Sequence, residues 1–353
     1  MSDTTLSIQA GSIQEAASDT AEIAQREEQS LAKVMSFGEA LIDFLAQNTS
    51  VDEVQTFAKY PGGAPANVAV AVARLGGNSH FVGQVGNDSF GHFLKESLNE
   101  YGVNTNALLM TSSAKTALAF VSLDETGERS FEFYRNPSAD MLFRPEDFLS
   151  EWFYASKGVF HTCSNTLTDE SITKATNIGV KLAKLAGWIV SADINLRANL
   201  WPEQGVDVER VLDWFQAADV VKASMEELAE LSDDPMALIQ ASLEKGVSLF
   251  VLTDGANSVR YFHSSGITGE VATPKVSVKD TTAAGDAFVG GLLFRLSEIA
   301  GETTVALMTQ EELHGAVEFS VACGASAVTK LGAYPSLPSK DEAEAMLRSF
   351  KLA

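Results

Sequence analysis

The sequence predicts an α/β fold, with a mostly parallel central sheet, helices on both of its faces and a small antiparallel β lid. Three observations carry this. From Gly158 onward, short apolar runs alternate with stretches of helical period. Between residues 115 and 135 that rhythm breaks into two strand-like runs around a glycine-containing loop. Further on, a turn of small residues, Asp280-Thr281-Thr282-Ala283-Ala284-Gly285-Asp286, leads into an apolar helix to about Ile299.

Composition narrows the function before any motif does. At 353 residues the chain suits one large domain or two, with ample core. Its 25 basic and 47 acidic residues give a net charge of -22, which argues against nucleic acid and anionic membranes as partners. A polyanionic substrate must then be met by backbone dipoles, a metal or a few placed cations. Cys163 and Cys323 lack CxxC spacing and read as small buried side chains. The five histidines show no metal-ligand spacing. No run is long and apolar enough to cross a membrane and no secretory leader is legible, so a cytoplasmic location is expected.

In chain order, residues 1–32 read as a mobile tail or loose helix, leaving 33–353 as the folded unit. Val34 to Gly38 opens the first buried strand. Asp43 follows inside an apolar run, either as a strand-end residue facing water or as a ligand for a polar substrate. Gly62-Gly63 permits close backbone approach, Pro65 suits a first helical turn, and Asn67 sits one turn in. Its amide either meets a sugar hydroxyl or faces solvent. A strand near Phe81–Val85 leads to a helix capped by Asp88 or Ser89 and ended by Gly102. Residues 116–122 and 129–135 form the hairpin, placed apart from the main sheet as a flap. Apolar residues are expected on both its faces, with Leu118, Phe120, Phe131 and Phe133 on one and Ala117, Ala119, Val121 and Tyr134 on the other. Arg135-Asn136-Pro137-Ser138-Ala139-Asp140 leaves it as a polar cluster, which an ordinary loop would also resemble.

The later strands are expected at 158–162, 188–193, 219–222 and 249–253, with helices at 170–186, 206–216 and 226–245, the last broken near Pro235. A strand pair near 259–263 and 269–272 follows, then a long helix over about 310–330. Parallel sheets bind ligands at the C-terminal strand ends. Asp193 with Asn195 and Arg197, Lys222 with Ser224 and Glu227, and Thr253 with Gly255 all fall there. The small-residue face around Cys323 either admits a flat ring or packs on a neighbouring helix. The turn at 283–286 opens a helix whose first N–H groups lack partners and carry the positive dipole end, an anion site. Asp286 beside it reads as a base for phosphoryl transfer, or as a helix-start residue satisfied by backbone donors.

Two signatures, Gly62-Gly63-Ala64-Pro65-Ala66-Asn67-Val68 with Leu75-Gly76-Gly77, and Asp280 to Phe288, resemble those of the ribokinase-like (PfkB) sugar kinases. Tyr134 to Met141 is similar to a stretch of the fructokinases within that family, and Asp193-Ile194-Asn195-Leu196-Arg197 to one shared with ketodeoxygluconate kinases. The likeness runs from about Val34 to the C-terminus. It implies a ribokinase-like three-layer sandwich with a lid from segments about 42–62 and 115–142. It implies ATP-dependent phosphorylation of a sugar's primary hydroxyl, D-fructose to fructose 6-phosphate, with Mg²⁺ and K⁺. The alternatives are ribose, 2-keto-3-deoxygluconate or a nucleoside as acceptor, or a protein that only binds sugar or a partner. By position, Asp286 matches the base and Ala283, Ala284 and Gly285 the anion hole. Asp43, Gly62, Gly63, Asn67, Arg135, Asn136, Asn195 and Arg197 are expected at the sugar. Lys222, Ser224, Glu227, Thr253, Gly255 and Cys323 are expected at the nucleotide, Glu227 also at Mg²⁺ through water, and Asp280 at the monovalent cation. Ala283, Ser224 and Ser258 depart from the commoner Gly, Asn and Gly, and Ala283 requires a turn without positive φ. A homodimer through the lid is expected from its two apolar faces. No GxxxxGK[ST] or GxGxxG stretch favours a Walker-type NTPase or a dinucleotide oxidoreductase.

Overall fold

The computed structural model describes residues 31–47, 54–123, 129–135, 137–154, 156–202 and 205–351. In chain order it begins with β1 (Lys33–Phe37), β2 (Leu41–Ala46), β3 (Phe57–Gly62), α1 (Ala64–Arg74), β4 (Ser79–Gly86), α2 (Ser89–Glu100) and β5 (Asn104–Thr111). The hairpin β6 (Leu118–Leu123) and β7 (Arg129–Tyr134) precedes α3 (Glu151–Tyr154), β8 (Gly158–Cys163), α4 (Glu170–Leu185), β9 (Ile189–Asp193) and α5 (Val208–Gln216). Then come β10 (Val220–Ser224), α6 (Met225–Leu231), α7 (Pro235–Glu244), β11 (Leu249–Thr253), β12 (Val259–His263) and β13 (Thr268–Val271). Helices α8 (Ala284–Ile299), α9 (Gln310–Ala327) and α10 (Lys340–Lys351) close the chain.

Nine strands form one sheet, ordered β13-β12-β11-β10-β9-β8-β1-β4-β5. It is parallel from β11 to β5 and antiparallel at β12 and β13. The central strands β8, β9 and β10 are buried on both faces, as their continuous apolar runs demand. One face carries Met35, Phe37, Phe160, Val190, Val221 and Phe250, packed with residues of α4, α5 and α6. There Phe37 sits 5.0–6.3 Å from the rings of Phe143, Phe148 and Phe160, each such pair contributing about 0.5–1.5 kcal/mol beyond its buried area. The other face, with Val34, Val159, Ile189, Val220 and Val251, packs on Val68 and Val72 of α1 and on Phe288 and Leu292 of α8.

A second sheet of four strands, ordered β3-β2-β6-β7, stands apart. β3 lies within the expected lid segment 42–62; as an edge strand it tolerates Pro61. The register, Ala119 opposite Phe133 and Leu118 opposite Tyr134, corrects the expected faces. Phe133 shares a face with Ala117 and Ala119, and Phe120 shares the other with Tyr134. Part of the apolar surplus is used within the chain, since Phe44 packs edge-on against Phe90 of α2 at 5.7 Å. The hairpin tip and Asn136 lie outside the described residues, as does the expected tail up to residue 30. Ala32, at its end, already donates to Ser297 O.

Candidate active site

The two signature stretches meet at the C-terminal ends of the parallel strands. Gly63 has φ 101°, and a Cβ there would lie 2.5 Å from Glu39 O, so only glycine lets α1 start against the end of β1. With Pro65 in the first turn and Asn67 N donating to Gly63 O at 2.8 Å, Asn67 is fixed to face α8. Its Nδ2 donates to Asp286 Oδ2 at 2.7 Å. Gly62 yields space of another kind: its missing Cβ would lie 2.1 Å from Asp43 Oδ2, so the Asp43 carboxylate passes directly over it.

Asp280 shapes the loop before α8. Its Oδ1 accepts from Thr282 N and Oγ1, and its Oδ2 from Gly332 N at 3.0 Å. Both oxygens are thus held by loop donors, and the observed task of Asp280 is to anchor this turn. Ala283 has φ -111°, which an alanine adopts without strain. Ala284 N donates to Thr281 O at 3.2 Å, so the open anion-binding N–H groups are those of Gly285 and Asp286. A Cβ on Gly285 would lie 3.7 Å from Lys222 Nζ, which brings an ammonium beside the same turn.

Lys222 and Asp193 face each other across β9 and β10, with Nζ 3.0 Å from Asp193 Oδ1. Burial opposes the Lys222 charge, yet Asp193, Glu227 and Asp286 together hold its pKa above the ordinary range. Burial pushes Asp286 up to about 7; the Asn67 hydrogen bond opposes this, Asp193 adds to it, and Arg197 and Lys222 subtract. A buried carboxyl that titrates near neutrality, beside an anion-binding turn, is suited to accept a proton from a hydroxyl.

Asn195 has φ 37°, the one non-glycine residue with positive φ among the described residues, and it bends the chain after β9 so that Arg197 reaches the cleft. Glu227 caps α6 reciprocally with Ser224 and also accepts from Leu196 N at 3.2 Å, tying this bend to the start of α6. Thr253 ends β11, and Gly255 follows at φ 55° in an exposed turn.

A cleft of about 470 Å³ runs between this edge and the lid, bordered by Asp43, Gly63, Asn67, Asn195, Arg197 and Asp286. Glu39, Leu41, Phe133 and Asn165 border it too, and the sequence reading missed them. Glu39 carried the same signal as Asp43, a carboxylate set among apolar residues. A larger open groove of about 700 Å³ between α4 and α5 contains none of the signature residues, so the smaller cleft is the candidate site.

Two expected site residues fall elsewhere. Arg135 is buried behind the cleft wall, where Nε donates to Asp140 Oδ2 at 2.7 Å and Nη1 to Asn165 O at 2.9 Å. It braces the end of the lid against β8. Cys323 is fully buried between α8 and α9, its Sγ 2.8 Å from where a Gly291 Cβ would stand, so the small-residue face serves helix packing. Among the described residues no cluster of three His, Cys, Asp or Glu could hold a metal ion unaided. No helix there is long and apolar enough to cross a membrane.

Known proteins resemble this chain in sequence and fold. A Zea mays fructokinase-2 is 42% identical over 320 residues, 89% of this chain and 93% of that one. The structure of a Xylella fastidiosa fructokinase with bound ATP matches with a TM-score of 0.84 at 43% identity, over 90% of this chain and 99% of that one. A Vibrio cholerae fructokinase solved with fructose, ADP and calcium ion gives 0.78 at 37% identity, over the same shares. The profile of the pfkB family carbohydrate kinases matches residues 31–340. This chain belongs to the pfkB family of carbohydrate kinases.

Proposed function

We propose that this kinase transfers the γ-phosphoryl group of ATP to the 6-hydroxyl of D-fructose. The observation that carries the reading is Asp286, oriented by Asn67 in the cleft and pushed up to about 7 by burial. Asp286 accepts the hydroxyl proton as that oxygen attacks the γ-phosphorus. The N–H groups of Gly285 and Asp286 and the Lys222 ammonium meet the charge that develops on the transferred group. Asp43, Gly62, Gly63, Asn67, Asn195 and Arg197 hold the sugar, under Leu41 and Phe133 of the lid. Lys222, Ser224, Glu227, Thr253 and Gly255 flank the nucleotide. Mg²⁺ would supply neutralisation of phosphate charge when bound, with Glu227 placed to hold its water shell. The loop that Asp280 anchors would hold K⁺, so a bulky organic cation in place of K⁺ should lower activity.

The fructose assignment rests on relatives: the three fructokinases compared above are 37–43% identical, whereas an aminoimidazole riboside kinase is 31% identical. The kinase domain begins at about residue 33 and carries the lid, and the working form is a homodimer through that lid. Two buried free cysteines suit the reducing cytoplasm. The test is ATP consumption against a panel of ketoses, aldoses, sugar acids and nucleosides. Fructose should give the highest kcat/KM, and turnover of another class alone would reject the assignment.

A further inference from the structure

Glu39 and Asn165 are the part of the cleft wall that the chemistry above does not use. Glu39 follows β1 and Asn165 follows the neighbouring parallel strand β8, at the edge where such sheets bind ligands. Both border the cleft, only 3% and 5% exposed. Asn165 Nδ2 donates to Glu39 Oε1 at 2.9 Å, which fixes the two side chains against each other. Their other oxygens, Glu39 Oε2 and Asn165 Oδ1, are buried and have no hydrogen-bond partner among the described residues. Arg135 Nη2 stands 4.0 Å from Glu39 Oε2, close enough to offset its charge and too far for a hydrogen bond. Buried acceptors are rarely left unpaired, because their desolvation is then uncompensated. Both residues border the cleft, and hydroxyl donors, which a sugar supplies, complement acceptors of this kind.

We propose that Glu39 Oε2 and Asn165 Oδ1 accept hydrogen bonds from hydroxyls of the bound sugar other than the one phosphorylated, making Glu39 a specificity-determining residue. The inference rests on the sugar-kinase reading above. A site built to bond a hydroxyl rejects the analogue lacking it, since the protein group is then buried unpaired. Burial raises the Glu39 pKa, while Arg135 and Asn165 act against that rise and favour the accepting carboxylate. Arg135, counted above as a brace, therefore also favours the charged form of this acceptor.

The experiment compares Glu39→Gln with the wild type on fructose and on its 1-deoxy, 3-deoxy and 4-deoxy analogues. Sugar kcat/KM should fall about ten- to a hundredfold, mainly through KM, with KM for ATP within about twofold. The wild type's discrimination against at least one deoxy analogue should collapse in the variant. A purely structural Glu39 would lower the melting temperature while sugar KM and discrimination stayed as in the wild type, and that result overturns the proposal. Should Glu39→Gln not fold, Asn165→Ala keeps the backbone carbonyl that Arg135 uses. It must show the same collapse, and unchanged discrimination again overturns the proposal. If the wild type turns over a different sugar, the fructose assignment fails separately, and the deoxy series of that sugar decides the role of Glu39.

Discussion

Asn67 Nδ2 donates to Asp286 Oδ2 at 2.7 Å, joining two stretches that lie 219 residues apart in the chain. The bond fixes one oxygen of a carboxylate that borders the cleft. It also opposes the burial that would otherwise keep Asp286 protonated. The protonation of Asp286 therefore depends on a side chain from a distant stretch of the chain.

Asp286→Asn keeps the size of the side chain and removes the base. The expected loss in kcat is about 10²–10⁴ with sugar affinity retained. Steady-state kinetics and fructose binding by calorimetry check this, and turnover within about twofold of wild type rejects Asp286 as the base.

The same group sets a pH dependence. Burial raises the folded-state pKa of Asp286 to about 7, against about 3.9 for an unperturbed aspartate. Protonation therefore favours the folded state, and this contribution is lost as pH rises through about 7. Activity runs the opposite way, because the base must be ionised, so kcat/KM should rise with pH through the same region. Asp286→Asn should then melt above the wild type at alkaline pH, with the difference shrinking toward acid. Asn67→Ala should move the acidic limb of kcat/KM to higher pH. A limb that stays in place separates Asn67 from the base.

Gly62→Ala tests the packing of Asp43. The new Cβ would lie 2.1 Å from Asp43 Oδ2, the mobile end of a side chain, so the carboxylate swings away while the backbone stays. Sugar KM should rise about tenfold or more, with melting temperature and ATP KM near wild type. Unchanged sugar KM would mean that Asp43 makes no contact with the sugar.

Much of this site was legible because helix and turn chemistry is local. Gly62-Gly63, Pro65 and the small residues at 283–285 each imply their backbone geometry, and Asp88 caps α2 as its neighbours suggest. Lys222 and Asp193 were legible as strand-end residues, but their pairing needed the order of β9 and β10. Arg135 and Cys323 were misplaced because nothing local tells an arginine facing substrate from one facing Asp140, or a thiol lining a pocket from one against Gly291. Glu39 shows in the sequence only as a carboxylate among apolar residues; its contacts with Asn165 and Arg135, distant in sequence, needed the fold. The faces of the hairpin were misassigned because a two-residue periodicity within each strand leaves the register between them open.

The last prediction concerns assembly through the lid. Phe120 lies 5.1 Å from Phe44, 5.4 Å from Phe57 and 5.3 Å from Tyr134, an aromatic cluster on the face that does not border the cleft. Tyr134 is 56% exposed, and the edges β3 and β7 flank the cluster. A second copy related by a two-fold axis would cover this face and shield those edges. Tyr134→Lys is the informative change, because its exposure lets a charge enter with little cost to the folding of one chain. Light scattering should give a dimer for the wild type and a monomer for the variant. The variant's sugar KM should rise, since a lid without its partner is less firmly held over the cleft. A wild type that stays monomeric at all concentrations with full activity would rule out the dimer, and a dimeric variant would move the interface away from Tyr134.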